Sequence, residues 1–108
     1  MTDCVFCKII AGQIPSKKVY EDEDTFAFYD IRPHMKVHFM IIPKKHISSL
    51  MDCQSEDQQL LGKMMLMTSK LAKQEGLPDG YKTLVNTGLA GGQEVFHLHV
   101  HVMGGGSL

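Results

Sequence analysis

The stretch His97-Leu98-His99-Val100-His101-Val102-Met103 alternates histidine with apolar residues near the end of a chain of 108 residues. In a β-strand, alternate side chains point to the same face, and neighbours on that face lie roughly 6.6 Å apart. The alternation therefore predicts a strand over residues 96–103. Its three imidazoles should line one face, while Leu98, Val100 and Val102 should point into a core on the other.

The rest of the chain predicts a series of strands with one long helix inserted. Four further strands are expected at residues 17–21, 25–30, 37–42 and 81–86. A short helix is expected at residues 4–11, closed by Gly12. This order predicts an α+β fold with an antiparallel sheet of about five strands, in which the 81–86 strand lies at an exposed edge.

Residues 55–76 form the clearest predicted helix. Ser55 and Gln58 have the spacing of a capping box, and Gly76 suits the position just past the last turn. Its apolar residues cover an arc of roughly 160°, which is wider than one core face usually needs. They are Leu60, Leu61, Met64, Met65, Met67, Leu71 and Ala72. Either these are an ordinary core with apolar margins, or the helix covers its own sheet and also contacts a second copy of the chain.

Composition restricts the class of protein. The length suits a single domain over residues 1–108, and a net charge of −1 gives no basic surface for nucleic acid. No apolar run is long enough to span a bilayer, so no membrane partner is expected. Three cysteines make an odd count, which argues against a disulfide framework and favours a cytoplasmic protein with reduced thiols.

Three aligned imidazoles fit two kinds of chemistry. One is a catalytic metal held by three nitrogens. The other is phosphoryl or nucleotidyl transfer, in which one imidazole is the nucleophile and its neighbours donate hydrogen bonds. The preceding loop favours the second, because the backbone N–H groups of Gly91 and Gly92 can approach an oxyanion closely and Asn86 supplies an amide donor nearby.

Cys4 and Cys7 have the spacing of half a zinc site. The same spacing occurs in redox motifs, although these usually open a helix that follows a strand, and no strand is predicted before Cys4. A tetrahedral site needs two more ligands, for which His46 and His97 are the candidates.

Motifs along the whole chain resemble the histidine triad family, and specifically its nucleotide-binding-protein branch. The similarity runs from about residue 4 to residue 105. Besides the histidine stretch it includes Phe6-Cys7-Lys8-Ile9-Ile10, Ile14-Pro15, Phe28-Tyr29-Asp30-Ile31, His38-Phe39, Ile42-Pro43-Lys44-Lys45-His46, Asn86, Gly91-Gly92-Gln93 and Gly104-Gly105.

The resemblance implies a fold and an activity. The fold would be HIT-like, with the sheet continued across a homodimer. The activity would be hydrolysis of purine nucleoside 5′-phosphoramidates, in which AMP or GMP is joined to an amine, through a nucleotidyl-histidine intermediate. Three alternatives stay open: a dinucleoside polyphosphate hydrolase, a non-catalytic nucleotide-binding or scaffold protein, and a metallohydrolase that uses the triad as ligands.

The resemblance also assigns roles in catalysis. His99 would attack the α-phosphorus, with its other ring nitrogen held by the backbone carbonyl of His97, and His101 would donate to a phosphate oxygen. His38 would support the triad from behind. Glu94 would protonate the departing amine, hold the amine end of the substrate, or close the loop.

For the nucleotide, the resemblance implies an apolar slot for the base and an acceptor, Asp30, for the ribose hydroxyls. The complete set expected to bind nucleotide is Phe6, Ile9, Phe28, Asp30, Ile31, Met40, Asn86, Gly92, Gln93, Glu94, Val95, His99 and His101. Some bacterial members of the family bind zinc with residues that match Cys4, Cys7, His46 and His97. A structural Zn²⁺ is therefore expected, and no cofactor is expected for catalysis.

Overall fold

The computed structural model describes residues 3–108. Residues 1 and 2 of the predicted domain are outside the described range. It contains two α-helices, α1 (Val5–Ile10) and α2 (Gln58–Gln74). Its strands are β1 (Lys18–Glu21), β2 (Thr25–Tyr29), β3 (Val37–Pro43), β4 (Lys82–Leu84) and β5 (Val100–Gly104). Short 3₁₀ turns occupy Leu50–Asp52, Ser55–Asp57 and Leu89–Gly91.

The five strands form one antiparallel sheet in the order β1-β2-β3-β5-β4. This confirms the predicted α+β class with a five-stranded sheet, a short first helix and one long helix. The last strand of the chain lies between β3 and β4, which leaves β4 at an edge. Within residues 3–108 no helix is both long and apolar enough to cross a bilayer.

The two faces of the sheet have different neighbours, because successive strand residues point in opposite directions. One face packs under α2 and forms the larger core cluster, in which β5 contributes Val100 and Val102. The other face packs under α1, where Phe6 lies against Phe28 and Met40. His101 is paired with Met40 across β3 and β5, so it lies on the α1 face.

The predicted strand at 96–103 is wrong at its start, since β5 begins at Val100. The ladder with β3 stops there because Pro43 has no N–H to offer, and its carbonyl oxygen is bonded to the His97 side chain at 2.8 Å. The backbone N–H of Leu98 instead donates to Ile47. His97 and His99 therefore lie in an extended segment just before the strand.

The long helix begins differently from the prediction and ends as predicted. A 3₁₀ turn precedes it, and the backbone N–H of Gln54 donates to the Asp57 carboxylate at 2.9 Å, so the Ser55–Gln58 capping box is wrong. Asp57 is fixed in this place by Lys45, whose Nζ lies 2.7 Å from its carboxylate. At the other end Gly76 has φ +94°, the left-handed conformation that closes a helix with little strain in glycine.

Two shorter elements also differ at their ends. The first helix starts one residue after Cys4, whose sulfur accepts a hydrogen bond from the Cys7 backbone N–H and thus caps it. The edge strand is limited to Lys82–Leu84, because only these residues pair with β5.

Candidate active site

A cavity of about 520 Å³ opens beside α1, against the ends of β2 and β5 and the loop that precedes His97. All but one of the residues predicted to bind nucleotide line it. They are Phe6, Ile9, Phe28, Asp30, Ile31, Met40, Asn86, Gly92, Glu94, Val95, His99 and His101. The exception, Gln93, lies behind the wall.

His99 is held in one orientation by a single hydrogen bond. Its Nδ1 lies 2.7 Å from the backbone carbonyl oxygen of His97. Because a carbonyl can only accept, Nδ1 carries the proton and Nε2 keeps its lone pair. The edge of the Phe6 ring packs against the imidazole, and only 6% of His99 is exposed. Burial lowers the pKa of His99, which favours this neutral form.

His101 is oriented by a relay that starts in the loop after β2. The backbone N–H of His34 donates to His38 Nδ1 at 3.0 Å, so the proton of His38 is on Nε2. That N–H donates to His101 Nδ1 at 2.9 Å, which leaves the proton of His101 on Nε2. The relay therefore fixes His101 as a hydrogen-bond donor to a ligand beside His99, whose ring centroid is 4.9 Å away.

Burial keeps this relay neutral. Burial, together with the neighbouring imidazoles, lowers the pKa of His101 to about 4, against the opposing effect of Asp30. Burial also lowers the pKa of His38, against the opposing effect of Asp30. The Asp30 carboxylate lies 3.4 Å from His38 Nε2 and accepts the backbone N–H of Arg32 at 2.8 Å. Asp30 thus faces the cavity with one oxygen already bonded to its own loop.

The loop between β4 and β5 makes the other wall. It turns through Leu89–Gly91 and then Gly92, which has φ +82° and lies beside the side-chain oxygen of Asn86. Positive φ at this position favours glycine, which also lets the backbone come close to a ligand. Glu94 is exposed on the rim of the cavity.

Gln93 departs from its predicted place. Only 3% of the residue is exposed, and its amide bonds to the backbone of Gly88, Ser48 and Val95 rather than facing the cavity. The resemblance to the histidine triad family had implied a ligand contact. Which side of the loop it faces is decided by these three tertiary contacts.

The four residues predicted to bind metal converge next to the cavity. Ligand atoms of Cys4, Cys7, His46 and His97 all lie within 4.8 Å of one another. His97 Nδ1 is 3.2 Å from His46 Nδ1 and 3.3 Å from Cys4 Sγ, and Cys7 Sγ is 3.3 Å from His46 Nδ1. Tetrahedral zinc requires N–N and S–N separations of about 3.3 and 3.6 Å. The four donors therefore fit a zinc ion in number, chemistry and spacing.

His97 is oriented for this cluster and away from the other two triad histidines. Its Nε2 donates to the Pro43 carbonyl, so Nδ1 presents a lone pair to the cysteines, as metal-bound histidines commonly do. In the part of the chain that the structure describes, the triad histidines do not form a common metal-binding group. A second group, Asp30, His38 and His101, is close enough for a metal. There, however, His38 Nε2 carries the proton that it donates to His101, so this nitrogen has no lone pair for a metal.

Several residues at the site were not predicted. Arg32 and His34 line the cavity on one side, and Ile14, Pro15 and Ser16 on another. Ile14-Pro15 was among the motifs that resemble the histidine triad family, and this resemblance was the signal in the sequence that residues 14–16 belong to the site. The contribution of His34 is a backbone N–H, for which the sequence carries no signal.

Comparisons with known proteins agree with this arrangement. A family model described as the HIT domain matches residues 11–108. Protein HitA of Neisseria gonorrhoeae is 55% identical over 104 residues, which cover 96% of this chain and 97% of that protein.

Three solved structures share the fold. A HIT family hydrolase from Legionella pneumophila has a TM-score of 0.92 at 46% identity, covering 95% of this chain and 93% of its own. A histidine triad nucleotide-binding protein from Candida albicans has a TM-score of 0.83 at 37% identity, covering 93% and 73%. A zinc-bound histidine triad family protein from Mycobacterium smegmatis has a TM-score of 0.81 at 37% identity, covering 94% and 74%.

Proposed function

The chain belongs to the HIT domain family, and we propose that it hydrolyses purine nucleoside 5′-phosphoramidates through a nucleotidyl intermediate on His99. The observation that carries this proposal is the 2.7 Å hydrogen bond from His99 Nδ1 to the His97 carbonyl. It aims the lone pair of Nε2 into a cavity of nucleotide size, where a neutral imidazole is a competent nucleophile for phosphorus. The hydrolase from Legionella pneumophila supports the reaction class.

The reaction has two steps. His99 Nε2 forms a bond to the α-phosphorus as the P–N bond to the substrate amine breaks, and the amine leaves with a proton. Glu94, on the rim of the cavity, is placed to supply that proton or to hold the amine. Water then cleaves the nucleotidyl-histidine, releases the nucleoside monophosphate and restores the neutral imidazole. The His101 Nε2–H stabilises the charged phosphoryl oxygens in both steps.

The cavity supports a nucleoside as the fixed part of the substrate. Phe6, Phe28 and Met40 make an apolar wall for a flat base, and the Asp30 carboxylate is an acceptor for ribose hydroxyls. The nucleotide-binding protein from Candida albicans is consistent with this ligand class.

Charge distinguishes the proposed substrate from a dinucleoside polyphosphate. Among the described residues that line the cavity, Arg32 is the single permanent cation, whereas Asp30 and Glu94 are both carboxylates. Neutral imidazole and backbone donors suit one phosphoryl group with one charge better than a chain of charged phosphates. Mass spectrometry of the products from both kinds of substrate separates the two activities.

We also propose that Cys4, Cys7, His46 and His97 hold a structural zinc ion that ties α1 to the segment after β3 and to the segment before β5. The zinc-bound protein from Mycobacterium smegmatis supports this, as do the donor distances. The zinc ion would cross-link these four residues in a tetrahedral arrangement. The proposed catalytic steps use the imidazoles directly.

Two half-buried thiols in such a cluster favour a reducing compartment, which makes the cytoplasm our proposed location.

A homodimer is the proposed assembly. β4 lies at an edge of the sheet, and its three residues are exposed. On α2, Met65 is 47% and Leu66 80% exposed, beyond the face that covers the sheet. An edge strand and an adjacent apolar helix surface suit pairing about a twofold axis, which would continue the sheet into the second copy.

The direct test of the function is a kinetic screen of adenosine and guanosine 5′-phosphoramidates, followed by trapping of the intermediate. We expect release of AMP or GMP, and a protein mass increased by one nucleotidyl group in acid-quenched samples. His99→Ala should show neither. If nucleotides bind but wild-type protein turns over no phosphoramidate, the chain is a nucleotide-binding protein without this activity.

A further inference from the structure

Gln93 is a buried amide in which both donor hydrogens and the carbonyl oxygen are hydrogen-bonded. Its Oε1 accepts the backbone N–H of Gly88 at 2.9 Å. Its Nε2 donates to the carbonyl of Ser48 at 2.7 Å and to that of Val95 at 2.9 Å. With 3% of the residue exposed, each of these bonds is shielded from water.

These bonds join three separate segments. One is the turn from Gly88 to Gly92, which the backbone N–H of Gln93 also closes by donating to the Gly88 carbonyl at 3.0 Å. The second is the segment at Ser48. The third is the extended segment through Val95 that leads to His97 and His99. The amide therefore fixes the glycine turn relative to the nucleophile from behind the cavity wall.

We propose that Gln93 is the positioning residue that places the glycine turn, with Gly92 and the nearby Asn86, around the phosphoryl group of the substrate. This inference rests on the proposed function and assigns Gln93 no contact with the ligand. The buried wall for the base belongs to α1, β2 and β3, with the Val95 side chain packed against it, whereas the hydrogen bonds of Gln93 go to backbone groups of the loops. Loss of the amide should therefore affect the phosphate end of the site and spare the nucleoside end.

Two substitutions separate the parts of the amide. Gln93→Glu keeps an acceptor for the Gly88 N–H and removes both donors, which leaves the Ser48 and Val95 carbonyls without their partner. Gln93→Met has similar volume and removes acceptor and donors together. A matched control is Thr68→Val on α2, because Thr68 is also buried and its hydroxyl bonds to the Met65 carbonyl and to the Tyr81 hydroxyl.

The experiment compares the affinities of adenosine and of AMP by calorimetry, together with kcat for adenosine 5′-phosphoramidate. For both Gln93 variants we expect adenosine affinity within about twofold of wild type, AMP affinity reduced by about tenfold, and kcat reduced by roughly 30-fold. Thr68→Val should lower the Tm while leaving the ratio of the two affinities unchanged.

Parallel weakening of adenosine and AMP, or an unchanged ratio, would overturn the positioning role. If one of the two Gln93 variants does not fold, the other decides the result by the same ratio. If wild-type protein turns over no phosphoramidate but the variants still lose AMP affinity selectively, the proposed activity fails and the role of Gln93 stands. If wild type binds AMP no better than adenosine, the turn is not a phosphate site and both fail.

Discussion

The rings of His38 and His101 are joined directly, with His38 Nε2 2.9 Å from His101 Nδ1. Because this bond sets which nitrogen of His101 faces the substrate, we expect His38→Ala to lower kcat by about tenfold and His101→Ala by about 100-fold. The double variant should be no slower than His101→Ala, since both changes remove the same donor. A fully additive loss in the double-mutant cycle would show that His38 acts independently of His101.

His99→Ala should abolish turnover while leaving the nucleotide site intact. The expected loss in kcat is at least about 1,000-fold, because the proposed covalent intermediate forms on the His99 ring. Calorimetry with AMP should give an affinity within an order of magnitude of wild type. A loss of less than tenfold in kcat would eliminate the covalent mechanism.

Stability should depend on pH through His101. The pKa of His101 is about 4 in the folded protein, compared with 6.5 for an unperturbed imidazole. The folded state therefore binds fewer protons than the unfolded state between these values. The stability that a neutral His101 contributes is complete above pH 6.5 and is lost as the pH falls towards 4.

The measurement is the free energy of unfolding of metal-free protein from pH 7 to pH 4. Wild type should lose more stability over this range than His101→Gln, by up to about 3 kcal/mol. Metal-free protein is used because protonation of the zinc ligands would otherwise contribute. Equal pH slopes for the two proteins would contradict a buried neutral His101.

Elemental analysis of protein purified without added metal should find close to one zinc per chain. Cys4→Ser combined with Cys7→Ser should remove the zinc and lower the Tm, because α1 loses its link to the segments at His46 and His97. Cys53→Ser is the matched control, since Cys53 lies outside the cluster and should retain full zinc. Mild chelation should leave turnover in place. Equal Tm values with and without metal would rule out a structural role.

Light scattering at micromolar concentration should give twice the chain mass of 12.1 kDa. Leu66→Glu should shift the mass to that of one chain, because it would bury a charge in an apolar interface. Gln59→Glu adds the same group to the same helix, but Gln59 lines a charged surface pocket with Glu23 of the β1–β2 turn and Lys44 after β3, and this variant should remain dimeric. If the wild-type protein is a monomer, the proposed dimer is wrong and Leu66 is an ordinary exposed residue.

Alternation and glycine spacing predicted the parts of the fold that local chemistry decides. Val100 and Val102 enter the core as predicted, and Gly76 closes α2, because strand geometry and positive φ act within a few residues. The start of β5 was missed because it depends on Pro43, which is distant in sequence and cannot extend the ladder. The start of α2 was missed because Lys45, also outside the helix, holds Asp57 in the capping position.

For the candidate site, too, local features were predicted and features that depend on distant segments were missed. The sequence predicted that His99 and His101 lie side by side, since their spacing is local, but not that the His97 ring turns to the cysteines. It gave no sign that His34 contributes a backbone N–H or that Gln93 turns away from the cavity. Both depend on partners in other segments, and backbone groups are the same in every residue.

His97 contacts the cysteines of the proposed zinc site with its ring and the proposed nucleophile, His99, with its main-chain oxygen. The two contacts are chemically separable, because every residue has a backbone carbonyl but only histidine has an imidazole. A lineage that lost Cys4 and Cys7 would release position 97 to drift towards other side chains of similar volume, with the acceptor for His99 unchanged. If the proposed zinc site and nucleophile are correct, metal ligation constrains the imidazole at position 97, and the three-histidine stretch combines two separate chemical requirements.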